Sequence, residues 1–456
     1  MNALNESIFR EYDIRGIADS ELPDPVVEKI AGAAAAVFVR ENKHRIAIGM
    51  DGRPSSPRIK KRLTKTLARY GLEVIDIGLV PTPVVYFAVF HLDLDGAVVI
   101  TASHNPGQYN GFKVLVGRQA LFGPQIGELY QIAASGRFPA EKKGKIVGRV
   151  IMAEYMDYIQ KNVHLEKKMR VVVDAGNGTG GLTAPALYRA LGADVHELYC
   201  RVDGNFPNHH PDPTVAKNLV DLIKEVAHCG ADVGIAFDGD ADRIGVVDGK
   251  GTIIWGDQLL IIFARDVLQR YPGAKIISEV KASEVLFAEI RRSGGLPIMW
   301  KTGHSLIKRK IVEEDARLAG EMSGHIFFND KWFGFDDAVY AGARLLEVLS
   351  RRPESLSDIL ATIPKACNTP EIRVDASDKA KFEIVAAIRD HFRAKYPVND
   401  IDGARISFPH GWALVRASNT QPSLVIRYEA DSSEQLLAIQ HEVQTALEHV
   451  RRRIGA

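Results

Sequence analysis

RIAIGMDGR, at residues 45–53, is an apolar stretch that runs into a polar, glycine-containing loop. A helical segment follows it, and then come LEVIDIG (72–78), a second helical segment and DGAVVITASHNP (95–106). Strands that alternate with helices in this way are typical of α/β units built around a largely parallel sheet. The first part of the chain is therefore predicted to be one such unit.

The same order of elements returns twice further along the chain. A second copy runs from MRVVVDAGNG (169–178) to ADVGIAFDGDADR (231–243), and a third runs from AKIISEVKAS (274–283) to ARLAGEMSGH (316–325). The copies share negligible sequence identity, but each ends in a short apolar strand and a polar loop. Because ligands collect at the carboxyl ends of strands in open α/β sheets, the three loops are expected to face one cleft. Three unrelated polar turns are the alternative.

The last part of the chain has a different character. After CNTPEIRVD (367–375), a helical stretch and strands around ARISF, GWALVRAS and SLVIRYEA predict a smaller α+β domain. A chain of 456 residues is also too long for one ordinary core. We therefore predict an α/β protein whose first three domains have mixed, mainly parallel sheets. The predicted domains span residues 1–150, 151–252, 253–366 and 367–456.

The composition excludes several kinds of function. The chain is 46% hydrophobic and 25% charged, with 58 basic and 57 acidic side chains. No large field of one sign therefore favours nucleic acid or an anionic membrane as the main ligand. The N-terminus has no secretory signal pattern and no stretch is apolar enough to span a bilayer, so a cytoplasmic location is expected.

The cysteines Cys200, Cys229 and Cys367 are widely spaced, odd in number and outside any C-x-x-C pattern. Neither a disulfide framework nor a thiolate metal site is therefore indicated. We predict that all three are buried small hydrophobic residues.

Ser103 follows an apolar strand in ITASHNPGQYNGFK (100–113) and is predicted to be exposed on a loop. The neighbouring His104 and the nearby Lys113 supply the hydrogen-bond donors and the charge that a nucleophilic serine needs. An ST-turn serine beside a surface histidine is the alternative explanation. The stretch contains no G-x-S-x-G elbow, so an ordinary serine hydrolase is not expected.

Asp238, Asp240 and Asp242 alternate in FDGDADRIG, at the end of a predicted strand. Three carboxylates this close repel one another unless a cation neutralises them, and oxygen ligands favour Mg²⁺ or Ca²⁺. An EF-hand is excluded because Arg243 occupies its glycine position and Gly249 its bidentate glutamate position. A hard cation with open positions indicates phosphate chemistry.

Two further loops carry candidate ligands for a sugar phosphate. In GEMSGH (320–325), Glu321, Ser323 and His325 suit the vicinal hydroxyls of a sugar, although an ordinary polar turn explains them equally well. VRASNTQPSLVIRYE (415–429) is predicted to form either a phosphate site or a solvated hairpin, since guanidinium groups make strong bonds to phosphate. The candidate phosphate ligands in it are Arg416, Ser418, Asn419, Thr420 and Arg427.

Tyr12, Arg15, Lys281 and His304 complete the candidate residues. Each alone is explained by a structural role, but together they could place cations around a dianionic substrate. GNGTGG (176–181) is a competing motif, because it matches the dinucleotide fingerprint G-x-G-x-x-G after a strand. A dehydrogenase is disfavoured, since two residues separate the strand from the first glycine and the three aspartates would have no role.

Taken together, these motifs resemble the α-D-phosphohexomutase superfamily over nearly the whole chain. TASHNP, DGDADR, GEMSGH and RASNTQP occur in the family's order, with FREYDIRG before them and KTGHS before GEMSGH. Within the superfamily the chain is most similar to the bacterial phosphomannomutase/phosphoglucomutase group. Phosphoglucosamine mutases usually show GEQSGH and RPSGTEP, which this chain lacks. The resemblance implies four domains around a central cleft, the last of them a mobile lid.

The resemblance also implies a role for each candidate residue. Ser103 matches the family's phosphoserine, which is itself held by Mg²⁺, and Asp238, Asp240 and Asp242 match the Mg²⁺ ligands. Glu321, Ser323 and His325 match the sugar-specificity loop. The distal phosphate site is matched by Arg416, Ser418, Asn419, Thr420 and Arg427. Further cleft residues are matched by Tyr12, Arg15, His104, Asn105, Lys113, Arg243, Lys281 and His304.

The implied reaction interconverts hexose 1-phosphate and hexose 6-phosphate of mannose or glucose through a 1,6-bisphosphate that turns around in the cleft. Arg243 and Lys113 are the expected partners of the transferring phosphoryl group, and Lys113, His304 and His325 are the candidate proton acceptors. Glucose 1,6-bisphosphate is the expected activator, and a monomer or weak homo-oligomer is expected. Phosphoglucosamine mutase and a metal-dependent sugar phosphatase are the alternatives.

Overall fold

The structure is a computed structural model that describes residues 4–419 and 421–455. It contains three α/β units and a fourth, α+β unit in chain order, which confirms the predicted fold class. Within the described residues, no helix is both long enough and apolar enough to cross a membrane.

The first unit has the strands β1 (Ile14–Ile17), β2 (Arg45–Met50), β3 (Glu73–Leu79), β4 (Gly96–Ile100), β5 (Tyr109–Val116), β6 (Gln119–Ala120) and β7 (Lys145–Gly148). Its helices are α1 (Asp24–Arg40), α2 (Ser56–Arg69), α3 (Thr82–His91) and α4 (Pro124–Ser135). The strand order is β1-β5-β4-β2-β3-β7, and β6 pairs with β5. Helix α2 buries Ile59, Leu63 and Leu67, which lie one turn apart on one face, and directs lysines and arginines to the other.

The second unit has the strands β8 (Arg170–Asp174), β9 (Asp194–Leu198), β10 (Val233–Phe237), β11 (Ile244–Asp248) and β12 (Ile253–Ile254). Its helices are α5 (Met152–Asn162), α6 (Ala184–Ala190) and α7 (Val220–Cys229). The strand order is β12-β11-β10-β8-β9, so β9 lies at an edge.

The third unit has the strands β13 (Lys275–Glu279), β14 (Leu296–Trp300), β15 (Leu318–Gly320) and β16 (Ile326–Phe328). Its helices are α8 (Gly256–Arg270), α9 (Glu284–Arg292), α10 (His304–Glu314), α11 (Ala338–Ser350) and α12 (Leu356–Ala361). The strand order is β14-β13-β15-β16. As in the first two units, parallel central strands end in loops at one edge of the sheet.

The fourth unit is an antiparallel sheet packed on two long helices. The strands are β17 (Cys367–Asn368), β18 (Ile372–Asp375), β19 (Val398–Asn399), β20 (Ala404–Phe408), β21 (Gly411–Ala417) and β22 (Ser423–Ala430). The helices are α13 (Asp378–Arg393) and α14 (Ser433–Ile454). The strand order is β17-β22-β21-β20-β19, and β18 also pairs with β22.

The sheets of the three α/β units are mixed, as predicted, but they are less parallel than expected. Among the described strands, the first and second sheets have as many antiparallel as parallel pairings. The difference arises from antiparallel partners such as β5, which the sequence analysis did not identify as a strand. Strand β5 is buried on both faces and carries Asn110 and Lys113, so it lacks the uninterrupted apolar run of a typical buried strand.

The glycines of GNGTGG (176–181) serve close packing. The loop after β8 leads into a 3₁₀ helix, Thr179–Leu182, and then into the short helix α6. A Cβ on Gly180 would lie 2.8 Å from the Phe237 ring, so the chain passes β10 at a distance that only glycine allows. This packing explains the motif without a dinucleotide.

The three cysteines are half-buried, so the prediction that they are buried is wrong. Cys200 and Cys229 pack against hydrophobic cores without being enclosed by them. Cys200 follows β9, Cys229 is the last residue of α7, and Cys367 lies in the short strand β17.

One hydrophobic core extends through the first three units. It includes Val84 and Phe87 of α3, Tyr155 of α5 and Trp332 after β16, among many others. The fourth unit has a separate core between its sheet and its helices. A small apolar cluster of Val280, Trp412 and Leu414 lies where the third and fourth units meet. The first three units therefore form one platform, on which the fourth is docked.

Trp332→Ala is expected to destabilise this platform by about 3 to 5 kcal/mol, the usual cost of removing a large core aromatic. Trp332 is 6% exposed, its ring stacks on Tyr340 at 4.4 Å, and it lies 5.9 Å from the rings of Phe87 and Tyr155. Urea unfolding followed by circular dichroism measures the loss. Trp255→Ala removes a tryptophan that is 38% exposed and serves as the control. Equal loss in the two variants would contradict the shared core.

Candidate active site

Loops from the first three sheets meet at one cleft. Ser103 lies just after β4, Asp238 directly after β10 and Glu321 directly after β15. The Ser103 hydroxyl donates to Asp238 (Oγ to Oδ2, 2.6 Å), and the N–H of Ile244 donates to the carbonyl of Gly324 (3.0 Å). The structure thus brings together the three loops that the sequence analysis selected.

Ser103 adopts a left-handed backbone conformation (φ +49°). Its N–H donates to Thr101 Oγ1 (2.9 Å), and its hydroxyl lies 3.1 Å from His104 Nδ1. Ser103 is 2% exposed, so the prediction of an exposed serine is wrong. The serine loop packs closely on the aspartate loop, where a Cβ on Gly239 would lie 2.5 Å from the Ser103 carbonyl oxygen. Such constrained backbone at a non-glycine residue is characteristic of functional sites.

Arg53 holds the serine loop in place and was missed by the sequence analysis. Its buried guanidinium donates to the carbonyls of Ser103 (2.7 Å) and Asn105 (2.6 Å), and also to those of Pro106 and Tyr109. Because four carbonyls share one rigid, planar donor group, the loop has little freedom to change shape. The sequence did indicate this residue, since Arg53 follows the apolar strand β2 in the stretch 45–53 and so lies at the same edge of the sheet as Ser103.

Asp238, Asp240 and Asp242 are fully buried and lie within reach of a single ion. Burial raises the pKa of Asp238 well above its usual range, and the charges of Asp242 and Asp240 raise it further. The N–H groups of Asp242 and Arg243 each donate to Asp238 Oδ1 (3.1 Å). The loop therefore concentrates negative charge next to the Ser103 hydroxyl.

Two residues of the first unit, Lys113 and Thr82, donate hydrogen bonds to these carboxylates, and Lys113 also offsets part of their negative charge. Lys113 Nζ donates to Asp240 Oδ2 (2.8 Å) and also pairs with Asp242. Burial would lower the pKa of Lys113, but the two aspartates raise it well above its ordinary value. Thr82, which the sequence analysis missed, donates its hydroxyl to Asp240 Oδ2 (2.5 Å) and its N–H to the Asp240 carbonyl (2.9 Å).

The three aspartates fit a divalent cation. One carboxylate oxygen of each aspartate lies within 4.8 Å of those of the other two, and Asp240 Oδ1 and Asp242 Oδ1 are buried without a hydrogen-bond partner among the described residues. Buried carboxylate oxygens without donors are costly unless a cation is bound. Oxygen ligands of this kind suit Mg²⁺.

His304 and His325 stack in the cleft with ring centroids 5.3 Å apart. Arg243 Nε donates to His325 Nε2 (3.0 Å), which leaves the proton of a neutral His325 on Nδ1, 3.0 Å from Asp336 Oδ2. Asp336 also lies 3.5 Å from His304 Nδ1 and accepts from Lys308 Nζ (2.9 Å). Burial and the charge of Lys308 lower the pKa of His304 well below its ordinary value. The sequence analysis missed Asp336 and Lys308.

Glu321 is held at the cleft by the N–H of Gly303, which donates to its Oε1 (2.6 Å). Burial raises the pKa of Glu321, and the nearby Glu279 raises it further. Ser323 is half-buried in the turn that follows. Lys281 Nζ lies 3.5 Å from Glu279 Oε1 and 3.2 Å from Glu371 Oε2, so it faces the same part of the cleft.

Tyr12, Arg15 and Asn105 line the side formed by the first unit. Arg15 Nη1 donates to Asn105 Oδ1 (2.6 Å), and Arg15 Nη2 donates to Asp13 Oδ2 (2.5 Å). Tyr12 donates its hydroxyl to the carbonyl of Thr302 (2.7 Å). Burial lowers the pKa of the neighbouring His104 well below its usual value, and the charges of Arg243 and Arg15 add to this.

The fourth unit contributes the remaining candidate residues. Asn419 donates to the Tyr12 hydroxyl (2.7 Å), so the turn between β21 and β22 reaches across the cleft to the first unit. Arg416 Nε donates to Asp402 Oδ2 (3.2 Å), and Arg427 donates to the Lys281 carbonyl. Ser418 lies in the same turn, where its N–H donates to the carbonyl of Ser423. Thr420 lies outside the described residues.

A buried arginine docks the fourth unit on the loop that carries Lys281. Arg405 Nη1 donates to the carbonyls of Val280 (2.5 Å) and Ala282 (2.8 Å), which flank Lys281. The guanidinium carbon lies 3.7 Å from the centre of the Trp412 ring. One buried cation therefore makes several of the polar contacts between the third and fourth units, next to the apolar cluster of Val280, Trp412 and Leu414.

Four family models match the chain in order. They describe α/β/α domains I, II and III and the C-terminal domain of phosphoglucomutase/phosphomannomutase. The matched residues are 6–139, 153–251, 255–367 and 371–446.

Individual proteins are similar over nearly their whole lengths. A phosphomannomutase/phosphoglucomutase of Pseudomonas putida is 46% identical over 98% of this chain and 96% of its own. A phosphoglucomutase of Neisseria gonorrhoeae is 44% identical over 98% of both chains. The crystal structure of a phosphoglucomutase/phosphomannomutase family protein from Burkholderia thailandensis, 41% identical, covers 98% of both chains with a TM-score of 0.94.

Proposed function

Because the chain belongs to the phosphoglucomutase/phosphomannomutase family of phosphohexomutases, we propose that it interconverts the 1-phosphates and 6-phosphates of mannose and glucose through Ser103. The observation that carries this proposal is the buried contact between Ser103 Oγ and Asp238 Oδ2 (2.6 Å). It places a hydroxyl that can carry a phosphoryl group beside a carboxylate cluster suited to a cation. Lys113 pairs with Asp240 and Asp242, the charge of Arg243 acts on Asp238, and Arg15 binds Asn105 of the serine loop.

In the proposed reaction, the phosphorylated Ser103 gives its phosphoryl group to the free hydroxyl of a hexose phosphate. The bond from phosphorus to Ser103 Oγ breaks as the bond to the sugar oxygen forms, and the product is a hexose 1,6-bisphosphate and free serine. After the bisphosphate has turned around, its other phosphoryl group returns to Ser103. The sugar leaves as the isomer, and glucose 1,6-bisphosphate can prime the enzyme by the same step.

The transfer depends mainly on position and charge. Asp238, Asp240 and Asp242, with the Ser103 phosphoryl group, would hold a Mg²⁺ ion, which offsets negative charge on the phosphoryl oxygens. Lys113 is paired with two of these aspartates, so we assign it to charge stabilisation.

The sugar hydroxyl must lose a proton as it attacks. His304 and His325 are the candidate acceptors, since both face the cleft and Asp336 orients them. Because Arg243 donates a hydrogen bond to His325 Nε2, that nitrogen is already occupied and less available to accept the sugar proton. Burial lowers the pKa of His304, so its neutral form, which can accept a proton, is favoured.

Glu321, Ser323 and His325 would bind the sugar hydroxyls, and Lys281, Arg416, Ser418, Asn419, Thr420 and Arg427 would bind the distal phosphate. The bisphosphate must bind in two orientations, so these contacts have to loosen and form again in each cycle. The separate core and polar docking of the fourth unit support its role as a lid.

Hydrogen exchange tests the lid. With glucose 1,6-bisphosphate bound, exchange across the fourth unit is expected to slow by about tenfold or more, because ligand contacts favour the closed form. Helix α1, which packs in a core formed only by residues of the first unit, is the internal control. Equal protection of residues 367–456 with and without ligand would show that this unit is not a lid.

Phosphorus NMR tests the reaction itself. The protein with Mg²⁺ and a trace of glucose 1,6-bisphosphate is offered mannose 1-phosphate, glucose 1-phosphate or glucosamine 1-phosphate in separate tubes. Conversion of the first two to 6-phosphates supports the dual-specificity mutase. Conversion of glucosamine 1-phosphate alone would identify a phosphoglucosamine mutase, and release of inorganic phosphate alone would identify a phosphatase.

We also propose domain boundaries near residues 150, 252 and 366. The boundaries near 150 and 366 separate strands of different sheets. The boundary near 252 precedes β12, which still pairs with β11 of the second sheet. A cytoplasmic monomer or weak homo-oligomer, with neither nucleic acid nor membrane as partner, is proposed from the balanced charge and the composition.

A further inference from the structure

A second group of possible metal ligands lies on the second unit, apart from the three aspartates. It consists of His196 in β9 and of Glu225 and Cys229 in α7. One ligand atom from each residue lies within 4.8 Å of the other two, and all three residues are half-buried. The sequence analysis dismissed a thiolate metal site because no second cysteine is near. The fold supplies His196 from a strand about thirty residues away, and Glu225 lies one turn before Cys229 in the same helix.

The local structure explains why the three side chains meet. His196 pairs in register with Val172, whose side chain packs with Leu222 and Val226 of α7. Because side chains alternate between the two faces of a strand, His196 is directed to the face that α7 covers. Glu225 and Cys229 are four residues apart, so they lie on the same side of that helix, one turn from each other.

The ligand atoms have few competing partners. Among the described residues, neither the His196 ring nor the Glu225 carboxylate forms a hydrogen bond or an ion pair. The contact of Cys229 Sγ with the Val226 carbonyl is weak (4.0 Å), and its other polar neighbours are backbone N–H groups at the end of α7. Arg170 Nη1 donates to the Cys229 carbonyl (2.9 Å) and so fixes the end of α7. The position of the thiol is thus held by the backbone, while its sulfur remains available.

We propose that His196, Glu225 and Cys229 bind a borderline-soft divalent cation, typified by Zn²⁺. Thiolate sulfur, imidazole nitrogen and carboxylate oxygen are the ligand types that Zn²⁺ takes in proteins, whereas Mg²⁺ and Ca²⁺ require oxygen. Bond lengths of 2.0 to 2.3 Å place the ligands of a tetrahedral Zn²⁺ about 3.3 to 3.8 Å apart, so small side-chain rotations close the site. A fourth position is left for water.

Binding converts the thiol to a thiolate, and the proton goes to solvent. Burial raises the pKa of the Cys229 thiol, and the Glu225 carboxylate raises it further, so the metal-free side chain carries its proton. A bound cation would link the edge strand β9 to the end of α7. The expected result is a more stable second unit.

Cobalt substitution tests the site in the full-length protein with Mg²⁺ in excess. Co²⁺ bound to a thiolate gives a sulfur-to-metal charge-transfer band in the near ultraviolet, which oxygen ligands such as the three aspartates cannot give. One equivalent of Co²⁺ is expected to develop this band in the wild type, and Zn²⁺ is expected to displace it. Cys229→Ser is expected to abolish it, and Cys367→Ser, which removes another half-buried cysteine, is expected to retain it.

Two further variants test whether all three side chains bind the metal or merely lie near one another. His196→Ala and Glu225→Gln are each expected to weaken Co²⁺ binding at least about tenfold, since even outer contacts of a metal ligand carry that much affinity. Zn²⁺ should raise the thermal unfolding temperature of the wild type but not that of Cys229→Ser. Mutase activity is expected to be unchanged in all four variants, because neither the three ligands nor Cys367 belongs to the proposed cleft residues. No band in the wild type, or a band that persists in Cys229→Ser, would overturn the proposal.

Discussion

Ser103→Ala is expected to lower turnover by about a thousandfold or more while the fold remains intact. The hydroxyl is the only atom group that the substitution removes, and it is the proposed carrier of the phosphoryl group in both half-reactions. Alanine tolerates the left-handed backbone about as well as serine, so the packing of the loop against Gly239 should persist. Steady-state rates with glucose 1-phosphate measure the loss.

The matched control is Ser135→Ala, which removes an exposed hydroxyl at the end of α4. Intact-mass analysis after incubation with glucose 1,6-bisphosphate provides a second readout. The wild type and the control should gain one phosphoryl group, and Ser103→Ala should gain none. Activity above a tenth of the wild-type value, or phosphorylation of the variant, would contradict the assignment of Ser103.

Asp240→Asn is expected to weaken Mg²⁺ binding and to lower turnover about a hundredfold. The amide removes one of three negative charges from the loop. It also places an N–H donor where Thr82 and Lys113 now donate to a carboxylate oxygen. The remaining site offers less negative charge to the cation, and the positive charge of Lys113 is less fully neutralised.

Turnover measured as a function of Mg²⁺ concentration tests this expectation. The variant should need more Mg²⁺ for half-maximal activity and should recover part of its rate at high Mg²⁺. Asp93→Asn, which changes a carboxylate that is 91% exposed, is the control. An unchanged Mg²⁺ requirement would show that the aspartate loop is not the metal site.

The parts of the site that could be predicted share one signal. Ser103, Asp238 and Glu321 each follow an apolar strand, and such strand ends gather at one edge of an α/β sheet. Arg53 carries the same signal after β2, so it could have been found. The order of elements likewise predicted the four units, because alternation of apolar strands and helices survives even where sequence identity between copies does not.

Other features depend on tertiary contacts that no local pattern shows. Lys113 lies on a strand because β5 pairs with β4 and β1, although Asn110 and Lys113 interrupt the apolar pattern by which a buried strand is identified. After β16 the chain turns back, and an isolated antiparallel β-bridge pairs Asp336 with Phe327. This pairing places the Asp336 carboxylate next to His325. The burial of Ser103 results from close packing of two loops from different units, which the sequence of neither loop reveals.

The shared core has a consequence for how this protein can change during evolution. Exchange of any one of the first three units between relatives by recombination would replace one wall of a common interior, so side chains such as Trp332 and Phe87 would lose fitted neighbours. The last unit brings its own interior and meets the others through polar contacts and one small apolar cluster. We expect new specificities to be acquired most readily by replacing this C-terminal module, while the remainder is inherited as one block.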